Sequence, residues 1–379
     1  MPTFNKYHRY LQEIIADDLS RTSVLLYGPR QVGKTTLVKS FVREGRDAYF
    51  SCDDMAIARS FIAHTQTLEN LVRPYERVVI DEAQRITDAG VVLKLLIDSF
   101  PDKRFIITGS SALELAYGAF DALTGRVRIH PMYPIAVAEM PHLERLSVAD
   151  APSGVLRFGT YPAVLTAPDA TTKQEIIGTI ADQYLFKDTL SFEMQKRPEF
   201  LEKLLALLGA QTGSLVSLNS LANALDVGRG TVDRYLHLAT QLFIIQPLRP
   251  YHANFKKRIT KQSKYFFWDV GVRNALTKNF GDIDIRADKG GLWENFVIME
   301  RMKYNASRRY LCNYYFYRGE NGAEVDLVEE KDGAAHCFEI KYEAESVSHG
   351  VRNAVAEISG TATDLQIVNR RNFLPFVGG

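Results

Sequence analysis

The sequence predicts a multidomain α/β protein, and three observations predict it. Gly28-Pro29-Arg30-Gln31-Val32-Gly33-Lys34-Thr35 is a complete G-x4-G-K-T phosphate loop, set between the apolar segment Val24-Leu25-Leu26-Tyr27 and a helically spaced run beginning at Thr36. Residues 217–236 have the spacing of two short helices joined by a tight turn. Near the C-terminus, two runs of alternating pattern carry Glu324-Val325-Asp326 and Glu339-Ile340-Lys341. A chain of 379 residues exceeds one ordinary core. The expected segments are a nucleotide-binding domain over 1–140, a helical lid over 141–212, a winged helix-turn-helix over 213–265 and a C-terminal α/β domain over 266–379.

Composition narrows the class. Hydrophobic residues make up 46% and charged residues 24%, the balance of globular material. No apolar run approaches membrane-spanning length and the N-terminus lacks a signal pattern, so a cytoplasmic protein without a membrane partner is expected. Cys52, Cys312 and Cys337 are isolated, which excludes a disulfide framework and a zinc knuckle. The net charge of +1 excludes a globally basic nucleic-acid binder but leaves room for a local basic patch.

In a phosphate loop the glycines let successive backbone N–H groups turn inward, and with the helix N-terminus they form an anion site. Gly28 to Thr35 and Thr36 are therefore candidate nucleotide contacts, with Lys34 reaching the β- and γ-phosphates and Thr35 holding Mg²⁺. Arg77-Val78-Val79-Ile80-Asp81-Glu82 reads as a buried parallel strand ending in two acids. Asp81 is the second candidate Mg²⁺ ligand, and Glu82 the group that polarises the attacking water. Arg104–Ser111 reads as a further strand, with Ser110 or Ser111 beside the γ-phosphate; Ser111 alternatively caps a helix over 112–115. Arg126 is a candidate for neutralising γ-phosphate charge, in cis or in trans. The expected cofactors are ATP and Mg²⁺.

The runs GPRQVGKTTL, VVIDEAQRI, FIITGSSALEL, LTGRVRIHPMYP and FGTYPAVL resemble the bacterial and archaeal AAA-type ATPases whose C-terminal half is called domain of unknown function 4143. The resemblance spans nearly the whole chain. It implies a P-loop AAA-like ATPase domain and ATP rather than GTP, and no guanine-reading N-K-x-D motif occurs.

Residues 155–209 carry apolar positions at helical spacing, as expected of a lid, with Tyr184, Lys187 and Asp188 as candidate neighbours of the nucleotide. The helix-turn-helix would present Arg229, Thr231 and Arg234 from its second helix to a DNA major groove. The strands around 243–248 and 264–268 would make its wing, and the basic patch Arg249, Lys256, Lys257, Arg258, Lys261 and Lys264 contains Lys256, Lys257 and Arg258 as phosphate contacts. A winged helix serving as a protein-interaction module is the alternative.

In a strand, residues two apart face the same way, so Glu339 and Lys341 share a face and Asp326 is expected beside them. With Glu294 on an upstream helix, this order resembles the PD-(D/E)xK nuclease superfamily. The resemblance implies a restriction-endonuclease-like domain, with Glu294, Asp326 and Glu339 as metal ligands and Glu339 and Lys341 as catalytic groups. A salt bridge on an exposed sheet is the alternative for Glu339 and Lys341. Two functions follow as expectations: an ATPase coupled to DNA binding and cleavage, or an ATPase switch whose later domains only bind partners. ATP and DNA are the expected partners, with a homo-oligomer left open.

Overall fold

The computed structural model describes residues 7–110, 122–183, 198–252, 258, 262–319, 322–358 and 362–378. Two compact units form, the first from residues up to Ile135 together with Gln241–Phe243, the second from most of the chain beyond Ala136. Ser111, the segment 112–115, Tyr184, Lys187, Asp188, Lys256, Lys257 and Lys261 lie outside the described residues.

The first unit is a five-stranded sheet in the order β2-β3-β4-β1-β5, with β1 Ser23–Gly28, β2 Asp47–Ser51, β3 Arg77–Asp81, β4 Arg104–Ser110 and β5 Val127–Pro131. Every pairing is parallel. Apolar side chains fill both faces: Leu25, Val78, Ile80, Phe105 and Ile107 are fully buried with Leu93 and Leu96 of the helix Ala89–Ser99, and the alternate positions Val24, Leu26, Val79 and Ile106 are fully buried as well. Such strands carry little alternation because both faces are covered. Register brings Gly28 level with Ser110, and Ser51 level with Asp81, so the C-terminal strand ends share one edge.

In the second unit, the expected helical stretch contains the helices Ser153–Phe158, Pro162–Thr166, Ala170–Gln183 and Pro198–Ala210. The helix-turn-helix follows as Leu218–Ala224 and Arg229–Gln241. Ser217 caps the first of these by accepting from Ser220 N–H, and Asp226 takes a left-handed φ of 51° in the turn.

A six-stranded sheet completes this unit in the order β11-β10-β9-β8-β6-β7. Its strands are β6 Ile245–Pro250, β7 Lys264–Phe267, β8 Asn313–Arg318, β9 Glu324–Lys331, β10 Ala334–Ile340 and β11 Ala362–Val368. The hairpin expected as the wing does not stand alone. β6 and β7 do form an antiparallel hairpin, but β6 also pairs in parallel with β8 and joins the hairpin to the C-terminal sheet. A division at 265/266 would cut through hydrogen-bonded structure. Asn295, on the helix Lys289–Ser307, donates to Phe267 C=O at 2.7 Å and accepts from Phe267 N–H at 2.8 Å, so an amide side chain covers β7 as a strand would. Among the described residues, no helix is long and apolar enough to cross a membrane.

Candidate functional site

The phosphate loop begins where β1 runs out. Gly28 is required by close approach, since a Cβ there would lie 2.2 Å from the Met132 carbonyl oxygen. Gln31 (φ 61°) and Gly33 (φ 98°) take left-handed conformations that turn the chain into the helix Lys34–Lys39. Val32 is buried, and its carbonyl accepts from Arg9 Nη1 at 2.9 Å, which braces the loop from the N-terminal segment. Pro29 is buried, Arg30 and Thr36 are half-buried, and Gln31 is exposed. Lys34 is 5% exposed, and its Nζ donates to Gly28 C=O at 2.9 Å and Pro29 C=O at 2.6 Å. The ammonium thus lies inside the cradle made by its own loop.

Across the sheet edge, Thr35 Oγ1 donates to Asp81 Oδ2 at 2.8 Å. Tyr49 donates to the same oxygen at 2.6 Å and Thr108 donates to Asp81 Oδ1. Burial and Asp81 hold the Tyr49 hydroxyl above the ordinary phenol range, so it remains a donor. Glu82 has a left-handed φ of 56°, its N–H donates to Thr108 Oγ1 at 3.0 Å, and its carboxylate accepts from Gln84 Nε2. The Gln84 carbonyl in turn accepts from Ser110 N–H at 3.2 Å. Ser110 Oγ is buried without a hydrogen-bond partner, beside the loop in register with Gly28.

A hydroxyl and a carboxylate in contact form the hard oxygen pair that Mg²⁺ uses when it keeps most of its shell for water and phosphate. Thr35 and Asp81 fit that role. Tyr49, Thr108 and Gln84 belong to the same cluster and were not expected. Only Thr108, a polar residue closing an apolar strand, carried a local signal in the sequence.

Arg126 is placed elsewhere. It enters β5 next to Val127, which pairs with Ser23 at the start of β1, and this is the sheet edge opposite the phosphate loop. Its guanidinium pairs with Asp98 through Nε–Oδ1 at 2.6 Å and Nη2–Oδ2 at 3.1 Å. Its guanidinium is thus turned to Asp98 rather than to the phosphate loop of its own chain.

In the second unit, Arg229 and Arg234 are exposed and Thr231 is half-buried, while Val232, Tyr235 and Leu236 pack inward. The wing residues differ from expectation. Arg258 forms a two-pronged pair with Glu330 at 2.9 and 3.1 Å, donates to Tyr315 Oη at 3.1 Å, and stacks over the Tyr251 and Tyr315 rings. Its charge is already held by an acid. Lys264, from the same basic stretch, is 1% exposed.

The C-terminal residues assemble in part as expected. Lys341 Nζ lies 2.6 Å from Glu339 Oε1 and 3.4 Å from Asp326 Oδ2, and Ile340 N–H donates to Asp326 Oδ2 at 2.8 Å. Glu339 Oε2 is buried without a hydrogen-bond partner. Glu294 instead meets Lys264 Nζ at 2.9 Å, and Lys264 also reaches Glu324 Oε1 at 2.5 Å. Burial disfavours the Lys264 ammonium, but Glu294, Glu324 and Asp326 outweigh it and hold the group charged. Burial raises Glu294 above the ordinary carboxylate range; Lys264 opposes the rise and Asp326 adds to it. Glu339 is raised by burial and by Asp326, against the pull of Lys341. Among the described residues, no group of three or more His, Cys, Asp or Glu side chains is arranged to hold a metal ion. Glu294, Asp326 and Glu339 thus each face a lysine ammonium.

The FGTYP motif also has a structural reason. Gly159 turns with φ 78° against Asp269, where a Cβ would lie 1.9 Å from Oδ1, and Thr160 N–H donates to Asp269 Oδ2 at 2.7 Å. Asp269 thereby ties the motif to the helix Val270–Leu276, which it caps through Gly271 and Val272 N–H.

Comparison with known proteins agrees with this geometry. Residues 20–141 match a model described as an AAA domain, residues 153–282 match a domain of unknown function (DUF8612), and residues 289–373 match a domain of unknown function (DUF4143). The AAA-domain match covers the five-stranded parallel sheet and its phosphate loop. An uncharacterized protein of Mycobacterium tuberculosis is 29% identical over 344 residues, spanning 88% of this chain and 74% of that one. One of Haemophilus influenzae is 23% identical over 368 residues, spanning 91% and 88%. Among solved structures, the Walker-type ATPase of Pyrococcus abyssi aligns with a TM-score of 0.45 at 15% identity, covering 70% of this chain and 94% of that one.

Proposed function

We propose that the N-terminal unit binds and hydrolyses ATP with Mg²⁺, and that the helix-turn-helix supplies a DNA contact. The observation that carries the first part is the 2.8 Å bond from Thr35 to Asp81, which joins the phosphate-loop helix to the acid at the end of β3. Backbone N–H groups of the loop would receive the phosphates, and Lys34 would exchange the Gly28 and Pro29 carbonyls for phosphate oxygens. Thr35 and Asp81 would hold Mg²⁺, which neutralises phosphate charge when bound. Glu82 is the group suited to orient the attacking water, and it would release the Gln84 amide to do so. Glu82→Gln is expected to keep ATP affinity while phosphate release falls by roughly 10²-fold or more. Unchanged hydrolysis in that variant would remove Glu82 from the chemistry.

The DNA contact rests on Arg229 and Arg234, both exposed on the first turns of a helix whose other face is buried. Arg229→Glu with Arg234→Glu is expected to weaken duplex binding and reduce the slope of log affinity against log salt by roughly 2. An unaltered slope would assign this face to a protein partner. DNA cleavage is not included in this proposal, because Glu294, Asp326 and Glu339 are each engaged by lysine ammonium groups.

A further inference from the structure

The carboxylate cluster of the C-terminal sheet contains its own cation. Lys264 Nζ lies 2.9 Å from Glu294 and 2.5 Å from Glu324, with the Phe316 ring centred 5.6 Å away on another side. A divalent cation entering at Glu294 or Glu324 would meet the Lys264 ammonium already seated between them, and the repulsion of the two positive charges opposes its entry. Nor is the lysine on a free stem. Its backbone is level with Leu248 in the β6–β7 ladder, and three residues on Phe267 is held on the other side by the Asn295 amide. The second ammonium, Lys341, spans Asp326 and Glu339 in the same way.

We infer that Lys264 is the resident counter-ion of this cluster, and that the site is closed to divalent metal as long as Lys264 is present. The folded domain then holds a metal-free ion-pair core where the nuclease resemblance would put Mg²⁺. Removing the ammonium without altering side-chain length would leave Glu294 and Glu324 without their cation, beside Asp326 and a Glu339 oxygen that has no hydrogen-bond partner. Relaxation of these carboxylates around the vacated position would then admit a divalent cation.

The test is a calorimetric titration of the full chain with Mn²⁺ alone, in a Thr35→Ala background that disables the N-terminal oxygen pair. The Lys264-containing protein is expected to take up no Mn²⁺. Lys264→Met is expected to take up one ion and to lose it when Asp326→Asn is added. Mn²⁺ uptake by the Lys264-containing protein that disappears with Asp326→Asn or Glu339→Gln would overturn the inference, as would a folded Lys264→Met that binds none. If circular dichroism shows Lys264→Met unfolded, the Lys264-containing arm decides alone: uptake sensitive to Asp326→Asn overturns the inference, and its absence supports it.

Discussion

Replacing Arg258 tests whether the basic stretch before β7 is a nucleic-acid surface or part of the fold. The guanidinium makes two bonds to Glu330 at 2.9 and 3.1 Å, and the two side chains are only 13% and 20% exposed. Breaking a fully buried pair costs about 3–5 kcal/mol and an exposed one at most about 1 kcal/mol. This pair lies between, at about 2 kcal/mol, and the rings of Tyr251 and Tyr315 at 4.7 and 4.9 Å add about 0.5 kcal/mol each. Arg258→Ala is therefore expected to lower the unfolding free energy of its unit by about 3 kcal/mol in urea titrations. Combined with Glu330→Gln in a double-mutant cycle, the coupling should be about 1–2 kcal/mol. Arg258→Lys keeps charge but not the two-pronged geometry and should recover less than half of the loss. A loss below about 0.5 kcal/mol, accompanied by a weaker and less salt-dependent affinity for DNA, would refute the reasoning and return Arg258 to a binding surface.

Other expectations follow from single contacts. Tyr49→Phe removes one of the three donors on Asp81 but leaves Thr35 and Thr108, so kcat/KM for ATP should fall by roughly 5- to 20-fold with the fold intact; unchanged kinetics would make Tyr49 a packing residue only. Asp288 is held down to about 2, first by its bonds to Arg286 and also by Arg273, against the effect of burial. Its folded value lies below the unfolded one, so its contribution is present above about pH 4 and lost as pH falls towards 2. Asp288→Asn should therefore remove about 1–2 kcal/mol of stability at pH 7 and flatten the acid limb between those values, allowing for its partial exposure to water; an acid limb identical to the parent's would contradict the assignment. Gly159→Ala should be severely destabilising because the added Cβ meets the Asp269 carboxylate, and retention of thermal stability would mean the motif can shift.

What the sequence makes legible depends on distance along the chain. The phosphate loop is set by eight consecutive residues whose own backbone makes the anion site, so its geometry is local. Asp81 could be placed because a β-branched run ending in acids defines both a buried strand and the edge at which it ends. The ion pairs of the second unit are of another kind. Arg258 and Glu330 are 72 residues apart, and Lys264 and Glu294 are 30 apart, and no spacing rule says which acid a given base will meet. A basic stretch therefore reads as a surface patch although two of its members turn inward to carboxylates. The position of Arg126 is hidden for a related reason, since it is set by the parallel register of β5 on β1. The wing was half legible: the hairpin is written in its two strands, but the β6–β8 pairing depends on a strand more than 60 residues later.

The central claim is that Lys34 and the loop around it form an ATP site completed by Thr35 and Asp81. Calorimetric titration of the intact chain with ATP and Mg²⁺ tests it most directly. The wild type is expected to bind one ATP, and Lys34→Ala to bind at least about tenfold more weakly, a loss of about 1.4 kcal/mol or more. Equal affinity in the two proteins, or no binding by the wild type, would contradict the account.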